Sequence, residues 1–306
     1  MQKFNTKAHR KRYADFVSRD NRVQPHILMN NHFTPGPTRN LDALAPAGGA
    51  SSSAQDMVKW LLLELADGRY EGRQLIRKEP LEIARTPQAI TGTNGATGLD
   101  NYYGFGWRLQ YLEDGVLYVE HSGVEGSGMG TQFMLLPSQD LGMVALGNAF
   151  ATGVPEAVAT SLLDLTRYGH VRQDWFSVWK GLFDQLFTIP HEKKIEKYAK
   201  PPVPNRPPLD LAAYVGTYQN DYVGKVKVTM DNGVLSLTRG VRQAPLTLRH
   251  WDGNTFLSYP YRESPGLPYV VEFTAGADDK ASQIVLEELA GNGEKAATVT
   301  RAEEDE

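Results

Sequence analysis

Among the residues able to carry out chemistry, one cluster stands apart. His121-Ser122-Gly123 ends the apolar run Val116-Leu117-Tyr118-Val119-Glu120 and leads into Val124-Glu125-Gly126-Ser127-Gly128. A histidine at the end of a strand, followed by glycines, sets an imidazole and a row of backbone N–H groups at a sheet edge. In acyl transfer such an edge holds a substrate backbone as an added strand and supplies a donor to an oxyanion. The tripeptide alone has a simpler reading, a β-hairpin whose glycines serve the turn and whose histidine is merely exposed. His26, His32, His170, His191 and His250 are scattered, without metal-binding spacing, so no metal site and no cofactor are expected. The absence of cysteine excludes disulfides, thiolate ligands and a cysteine nucleophile.

The elements that must position this cluster lie on both sides of it. Ser51 to Ser53 offer caps, and Met57, Trp60, Leu61 and Leu65 recur at helical spacing before Gly68, which predicts a helix over about 53–66. A shorter helix is expected over about 78–85, and the Gly/Thr/Asn-rich stretch 91–100 reads as a surface loop. Four strands are predicted at about 103–112, 115–122, 129–136 and 141–148, an antiparallel meander. Pro155 opens an amphipathic helix to about Tyr168, with Val158, Leu162 and Leu165 expected across one face of that sheet. Residues 1–45 read as irregular after one short helix.

Residues 174–199 are helical in pattern, and Trp175, Trp179, Phe183 and Phe187 are expected to pack a seam between domains. Five prolines within residues 201–208 make a semi-rigid linker. Beyond it, 209–302 read as short strands with turns at Asp231-Asn232-Gly233, Asp252-Gly253-Asn254 and Gly291-Asn292-Gly293, a small all-β barrel. The expected fold class is therefore α+β. Its divisions are 1–168, a helical and proline-rich linker over 169–208, and the β-domain over 209–302.

Bulk properties agree with a folded chain. Its 306 residues are 41% hydrophobic and 22% charged, near globular averages, and long enough for two domains. A net charge of -4 gives no general pull toward phosphates, so no nucleic-acid partner is expected. The basic run Lys7, His9, Arg10, Lys11 and Arg12 reads as a solvated helix face. No apolar run approaches the ~20 residues needed to span a bilayer, and Met1 to Phe16 has no apolar core of an export signal.

An ordered series of segments changes the weight of His121. Ala45-Pro46-Ala47-Gly48-Gly49-Ala50-Ser51-Ser52-Ser53 with Asp56 to Leu61, then Tyr103-Gly104-Phe105-Gly106-Trp107, His121-Ser122-Gly123, Leu135-Leu136-Pro137 and Leu141 to Asn148 follow one another. In that order they resemble the C-terminal half of the serine β-lactamase and penicillin-binding-protein-like hydrolases, in the class C and esterase-like branch. Leu211 to Tyr218, Val226-Lys227-Val228, Leu248 to Trp251 and Thr255-Phe256 resemble the lipocalin-like β-domain that often follows them. The resemblance implies a truncated β-lactamase-like domain, an antiparallel sheet with flanking helices, followed by a lipocalin-like barrel.

Carried across, His121-Ser122-Gly123 matches the family's third motif on the site wall. The Val124 backbone N–H would complete the oxyanion hole, where relatives commonly carry a smaller residue. The family's acylated Ser-x-x-Lys and its Tyr-x-Asn belong earlier, and residues 1–120 contain neither. Ser177-Val178-Trp179-Lys180 and Tyr218-Gln219-Asn220 fit the patterns formally, but after the third motif, and are read as structural.

Three readings follow. One is part of a serine hydrolase for amides, esters or peptidoglycan-like substrates, inactive alone. Another is a non-catalytic protein that binds a peptide or an apolar ligand. The third is the remnant of a longer reading frame. Relatives are often periplasmic or secreted, and an exposed sheet edge predicts self-association.

Overall fold

The computed structural model describes residues 12–29, 32–240, 243–262 and 264–302, and the chain divides into two compact units, Met1–Ile189 and Pro190–Glu306. Lys7 to Lys11 of the basic run lie outside the described residues.

The first unit opens with α1 (Tyr13–Val17). It then departs from the irregular segment expected, because β1 (His26–Met29) and β2 (His32–Pro35) form a hairpin. Their sequence shows no clean alternation because much of the hairpin faces solvent: Leu28, Met29 and Phe33 are exposed and Ile27 is buried. The His26 N–H donates to the Asn148 carbonyl at 2.8 Å, and the Phe150 N–H donates to the His26 carbonyl at 3.1 Å, tying β1 down through long-range bonds. A single helical turn, α2 (Ala45–Gly48), precedes α3 (Ala54–Leu65), whose cap is the Ser53 hydroxyl accepting from the Asp56 N–H at 3.2 Å. A two-residue pairing of β3 (Arg69–Tyr70) with β4 (Arg73–Gln74) leads to α4 (Lys78–Ala84).

The strands that follow form one antiparallel sheet. They are β5 (Ala89–Thr93), β6 (Asp100–Tyr103), β7 (Arg108–Tyr111), β8 (Leu117–Glu125), β9 (Met129–Leu136) and β10 (Leu141–Gly147), in the spatial order β10-β9-β8-β7-β6-β5. Two expectations change here. The predicted loop over 91–100 holds strand at both ends, joined by the Asn94–Leu99 turn. The single strand expected over 103–112 breaks at Gly104-Phe105-Gly106-Trp107. Gly104 lies so close to the Ala84 carbonyl that a Cβ would collide with it, and Gly106 has φ +85°, a left-handed conformation that glycine adopts without strain and that turns the chain here.

Alternate residues of the sheet build two cores. On one face Leu61 of α3 meets Trp107, Leu109, Val119 and Leu135, with Trp60 stacked on Trp107 at 5.3 Å between ring centroids. On the other, Ala159 of α5 (Val154–Tyr168) meets Tyr118, Met134 and Leu136. Of the face that the apolar periodicity predicts for α5, Leu162 packs against this core and the other two residues do not. Val158 and Leu165 are exposed, while Glu156, Ala157, Ala159, Thr160 and Asp164 are buried. Small residues let the helix approach the sheet closely, and Thr160 and Asp164 find partners on α6 (Trp175–Phe183). The Trp175 Nε1–H donates to Asp164 at 2.6 Å and the Trp179 Nε1–H to the Thr160 hydroxyl at 2.9 Å. Trp175, Trp179 and Phe183 thus pack within the first unit, and Phe187 meets Phe150 at 5.5 Å there, which accounts for residues expected at a domain seam.

The second unit begins in α7 (Ile189–Lys197). Its strands are β11 (Gly216–Asn220), β12 (Gly224–Asp231), β13 (Val234–Arg239), β14 (Leu246–Thr247), β15 (Arg249–Asp252), β16 (Thr255–Ser258), β17 (Tyr269–Ala275), β18 (Ala281–Leu286) and β19 (Thr298–Arg301), the last preceded by the short α8 (Glu294–Ala297). They form one nine-stranded sheet whose edge strands are β14 and β15. Only Leu248 separates those edges in sequence, and its N–H donates to the Leu235 carbonyl at 2.9 Å, so the sheet curls into a nearly closed barrel. Tyr214, Tyr218, Phe256 and Phe273 fill its core. In the linker, Arg206 pairs with Asp252 at 2.6 Å.

Candidate active-site wall on strand β8

Strand β8 is longer than its partner β7, and that mismatch makes the site. The β7 register ends with Arg108 opposite Glu120, whereas β9 continues alongside β8 as far as Glu125 opposite Met129. From His121 to Glu125 the strand is therefore paired on one side, and no described strand occupies the other. Gly123 and Val124 are exposed there. In such a strand alternate N–H and C=O groups point to the open side, free to meet an added chain.

His121 is half-buried beside Tyr103, at the end of β6. Its Nδ1 lies 2.7 Å from the Ser122 carbonyl, an acceptor only, so Nδ1 carries the proton. Nε2 then accepts from the Tyr103 hydroxyl at 3.1 Å, with the two rings edge to face. Burial first, and then the charge of Arg108, hold the imidazole below its ordinary range, so it is neutral near pH 7. The pair sets a phenol proton against an imidazole lone pair, an arrangement suited to relaying a proton.

Ser122 points elsewhere. Its hydroxyl accepts from Arg108 Nη1 at 3.3 Å, placing a guanidinium and a hydroxyl side by side at the strand's end. A planar cation with spare donors next to a hydroxyl is a carboxylate-binding chemistry. Two acids lie behind it. Glu120, which precedes His121, is buried and accepts from Gln132 Nε2 at 2.8 Å. Glu156, in the first turn of α5, is 2% exposed, and among the described residues no side chain bonds either of its carboxylate oxygens.

The structure thus brings His121, Ser122, Gly123 and Val124 together on one half-open strand. It adds Tyr103, Arg108, Glu120 and Glu156, which sequence reasoning did not single out. Tyr103 and Arg108 flank the Gly104–Trp107 turn, and only the break of the expected strand turns them toward β8. Of the two formal motif matches, the Ser177 hydroxyl donates to Asp174 at 2.5 Å at a helix start, and the Tyr218 hydroxyl donates to the Tyr214 carbonyl at 2.8 Å inside the barrel. Among the described residues no three His, Asp or Glu groups gather as metal ligands, and no helix is long and apolar enough to cross a membrane.

Comparison with known proteins adds the family. Residues 4–167 match the family model described as Beta-lactamase, and residues 200–300 match a Domain of unknown function (DUF3471). A curated relative, Unguisins hydrolase ungD of Aspergillus violaceofuscus (strain CBS 115571), is 29% identical over 166 residues, covering 50% of this chain and 29% of the relative. The chain thus spans less than a third of that relative's length. Among solved structures, the C-terminal domain of a penicillin binding protein is 33% identical, with TM-score 0.29, over 33% of this chain and 93% of that one. SurE is 19% identical, with TM-score 0.36, over 92% of this chain and 56% of that one. A class C beta-lactamase is 10% identical, with TM-score 0.33, over 44% of this chain and 40% of that one.

Proposed function

The chain belongs to the Beta-lactamase family, and from that premise we propose that its first unit is the substrate-holding wall of a serine hydrolase acting on amides or esters by an acyl-enzyme route. In this reading the substrate adds to the open side of β8, the Val124 N–H faces the oxyanion, and His121 with Tyr103 relays a proton. Arg108 and Ser122 hold a carboxylate on the substrate, which favours β-lactams and D-amino-acid peptides over simple esters. The observation that carries the reading is the one-sided pairing of His121–Glu125 next to a neutral, partnered imidazole. No cofactor enters this chemistry.

The nucleophile is the open element of the reading. Ser-x-x-Lys does not occur before His121, and Ser177 is committed to Asp174. The chain alone is therefore expected to bind a substrate without turning it over. The second reading, a non-catalytic peptide-binding protein, is favoured by the same open edge, which also invites a second copy of the chain. The barrel is read as the lipocalin-like companion domain, a module packed by its own aromatic side chains.

Two measurements test this. Intact-mass analysis after incubation with a fluorescent penicillin is expected to show no adduct. Backbone NMR during titration with an acetylated D-alanyl-D-alanine peptide is expected to show saturable shifts confined to His121–Glu125 and their neighbours, weakened roughly tenfold in Arg108→Ala, a loss of about 1.4 kcal/mol. An adduct on Ser177 would replace this scheme with a permuted active site. Shifts elsewhere, with β8 untouched, would remove the substrate wall altogether.

A further inference from the structure

The two acids behind β8 are unusual for a protein interior. Glu156 is 2% exposed and Glu120 5% exposed, and the only side-chain bond to either carboxylate among the described residues comes from the Gln132 amide. The Gln132 oxygen is itself buried and unpartnered, and the neutral donors of the cluster are the Gln132 amide and the Tyr118 hydroxyl. A buried carboxylate without donors is costly when ionised, and two neighbouring ones cost more. The groups facing them are known on every packed element: Arg108 from β7, Tyr118 from β8, neutral Gln132 from β9 and Glu156 itself from α5. Arg108 is the cation set against both acids, yet it bonds Ser122 and makes no ion pair with either among the described residues.

We propose that Glu120 and Glu156 form a protonation switch beneath the substrate wall: with a proton held on the pair, Arg108 serves Ser122, and with both ionised, Arg108 is drawn inward onto them. This regulation rests on the reading of Arg108 and Ser122 as a carboxylate subsite. The switch operates near neutrality, because burial, reinforced by the charge of Glu120, pushes the Glu156 carboxyl up from an ordinary 4.5 to about 7. Burial also raises Glu120. A folded carboxyl with a raised value keeps its proton where the unfolded chain has lost it. Its contribution therefore favours folding at low pH, and stability falls as pH rises from about 4.5 through about 7. Across that window the folded-to-unfolded ratio is expected to drop on the order of a hundredfold.

The test follows two nuclei in the same sample between pH 5 and 9, the Glu156 side-chain carbonyl and the Arg108 guanidinium Nε–H. Both are expected to titrate with one midpoint near 7, and Glu156→Gln is expected to abolish the Arg108 transition while making the protein less sensitive to alkaline pH in thermal melts. Glu120→Gln is the second variant and is expected to lower the Glu156 midpoint by removing its charged neighbour. A Glu156 midpoint below 5 overturns the switch, as does an Arg108 signal that stays constant while Glu156 titrates. Neither readout needs a bound substrate, so failure of the carboxylate subsite in peptide titrations is distinguishable from failure of the switch.

Discussion

Replacing Trp107 by alanine is expected to destabilise the first unit by about 4 kcal/mol, the middle of the range for deleting a buried large aromatic. Trp107 is 6% exposed and joins α3 to the sheet: it stacks on Trp60 at 5.3 Å, and Trp60 in turn meets Phe133 edge to face at 5.6 Å. Its backbone carbonyl accepts from the Gly104 N–H at 2.8 Å, closing the turn that separates Tyr103 from Arg108. Deleting the indole therefore removes core contacts and loosens the turn that aims both site residues. Thermal denaturation is expected to show a midpoint roughly 10 °C lower. The Tyr103–His121 contact is expected to weaken as well, read as a shift of the His121 ring signals under conditions where the variant remains folded. Trp107→Phe, which keeps a ring against Trp60, is expected to recover most of both effects. A loss below about 1 kcal/mol in Trp107→Ala would mean that the α3 interface tolerates the cavity and does not hold the turn.

Arg301→Met is expected to cost the barrel about 3 kcal/mol, through unpaired carbonyls rather than lost volume. Arg301 ends β19 and donates to the carbonyls of Ala213 at 2.8 Å and Val215 at 2.9 Å, to the Ala281 carbonyl and to the Tyr218 hydroxyl at 2.7 Å. Its guanidinium also lies 4.8 Å from the Tyr218 ring centroid. These bonds tie β18 and β19 to the Leu211–Tyr214 turn that leads into β11. Methionine fills much of the stem's space and offers no donor, so the variant isolates the polar contribution. Calorimetry is expected to show the transition of the second unit lowered by roughly 10–15 °C. A variant with an unchanged transition would show that water satisfies those carbonyls equally well.

Much of the architecture was legible in local pattern because local pattern has a direct physical cause. The Ser53 cap, the helical recurrence of Trp60, Leu61 and Leu65, and the turn residues around β9 and β10 each act within a few positions of themselves. The β1–β2 hairpin was not legible, since its strands are held by the distant Asn148 and Phe150 backbone more than by an apolar face of their own. The helix α5 was legible as a helix but not in its orientation. Val158 and Leu165 lie outward while Leu162 and Leu163 reach the core, because Asp164 and Thr160 are held inward by the indoles of Trp175 and Trp179. Specific hydrogen bonds there outweigh the average preference for burying the larger side chain.

Residue type and order suffice for an α+β chain that ends in a β-rich domain, for the family, and for the place of His121-Ser122-Gly123 on a strand, which runs on to Glu125, past its expected end at about 122. Packing alone decides that β8 outruns β7 and so presents a half-open edge, that the Ser122 carbonyl holds the His121 proton on Nδ1 while Tyr103 donates to Nε2, and that Arg108, bonded to Ser122, is the cation set against two buried acids. Those facts depend on strand length, on the break at Gly104 and Gly106, and on the rotation of α5 about its axis. Each is set by packing between segments far apart in the chain, where local propensity has no reach.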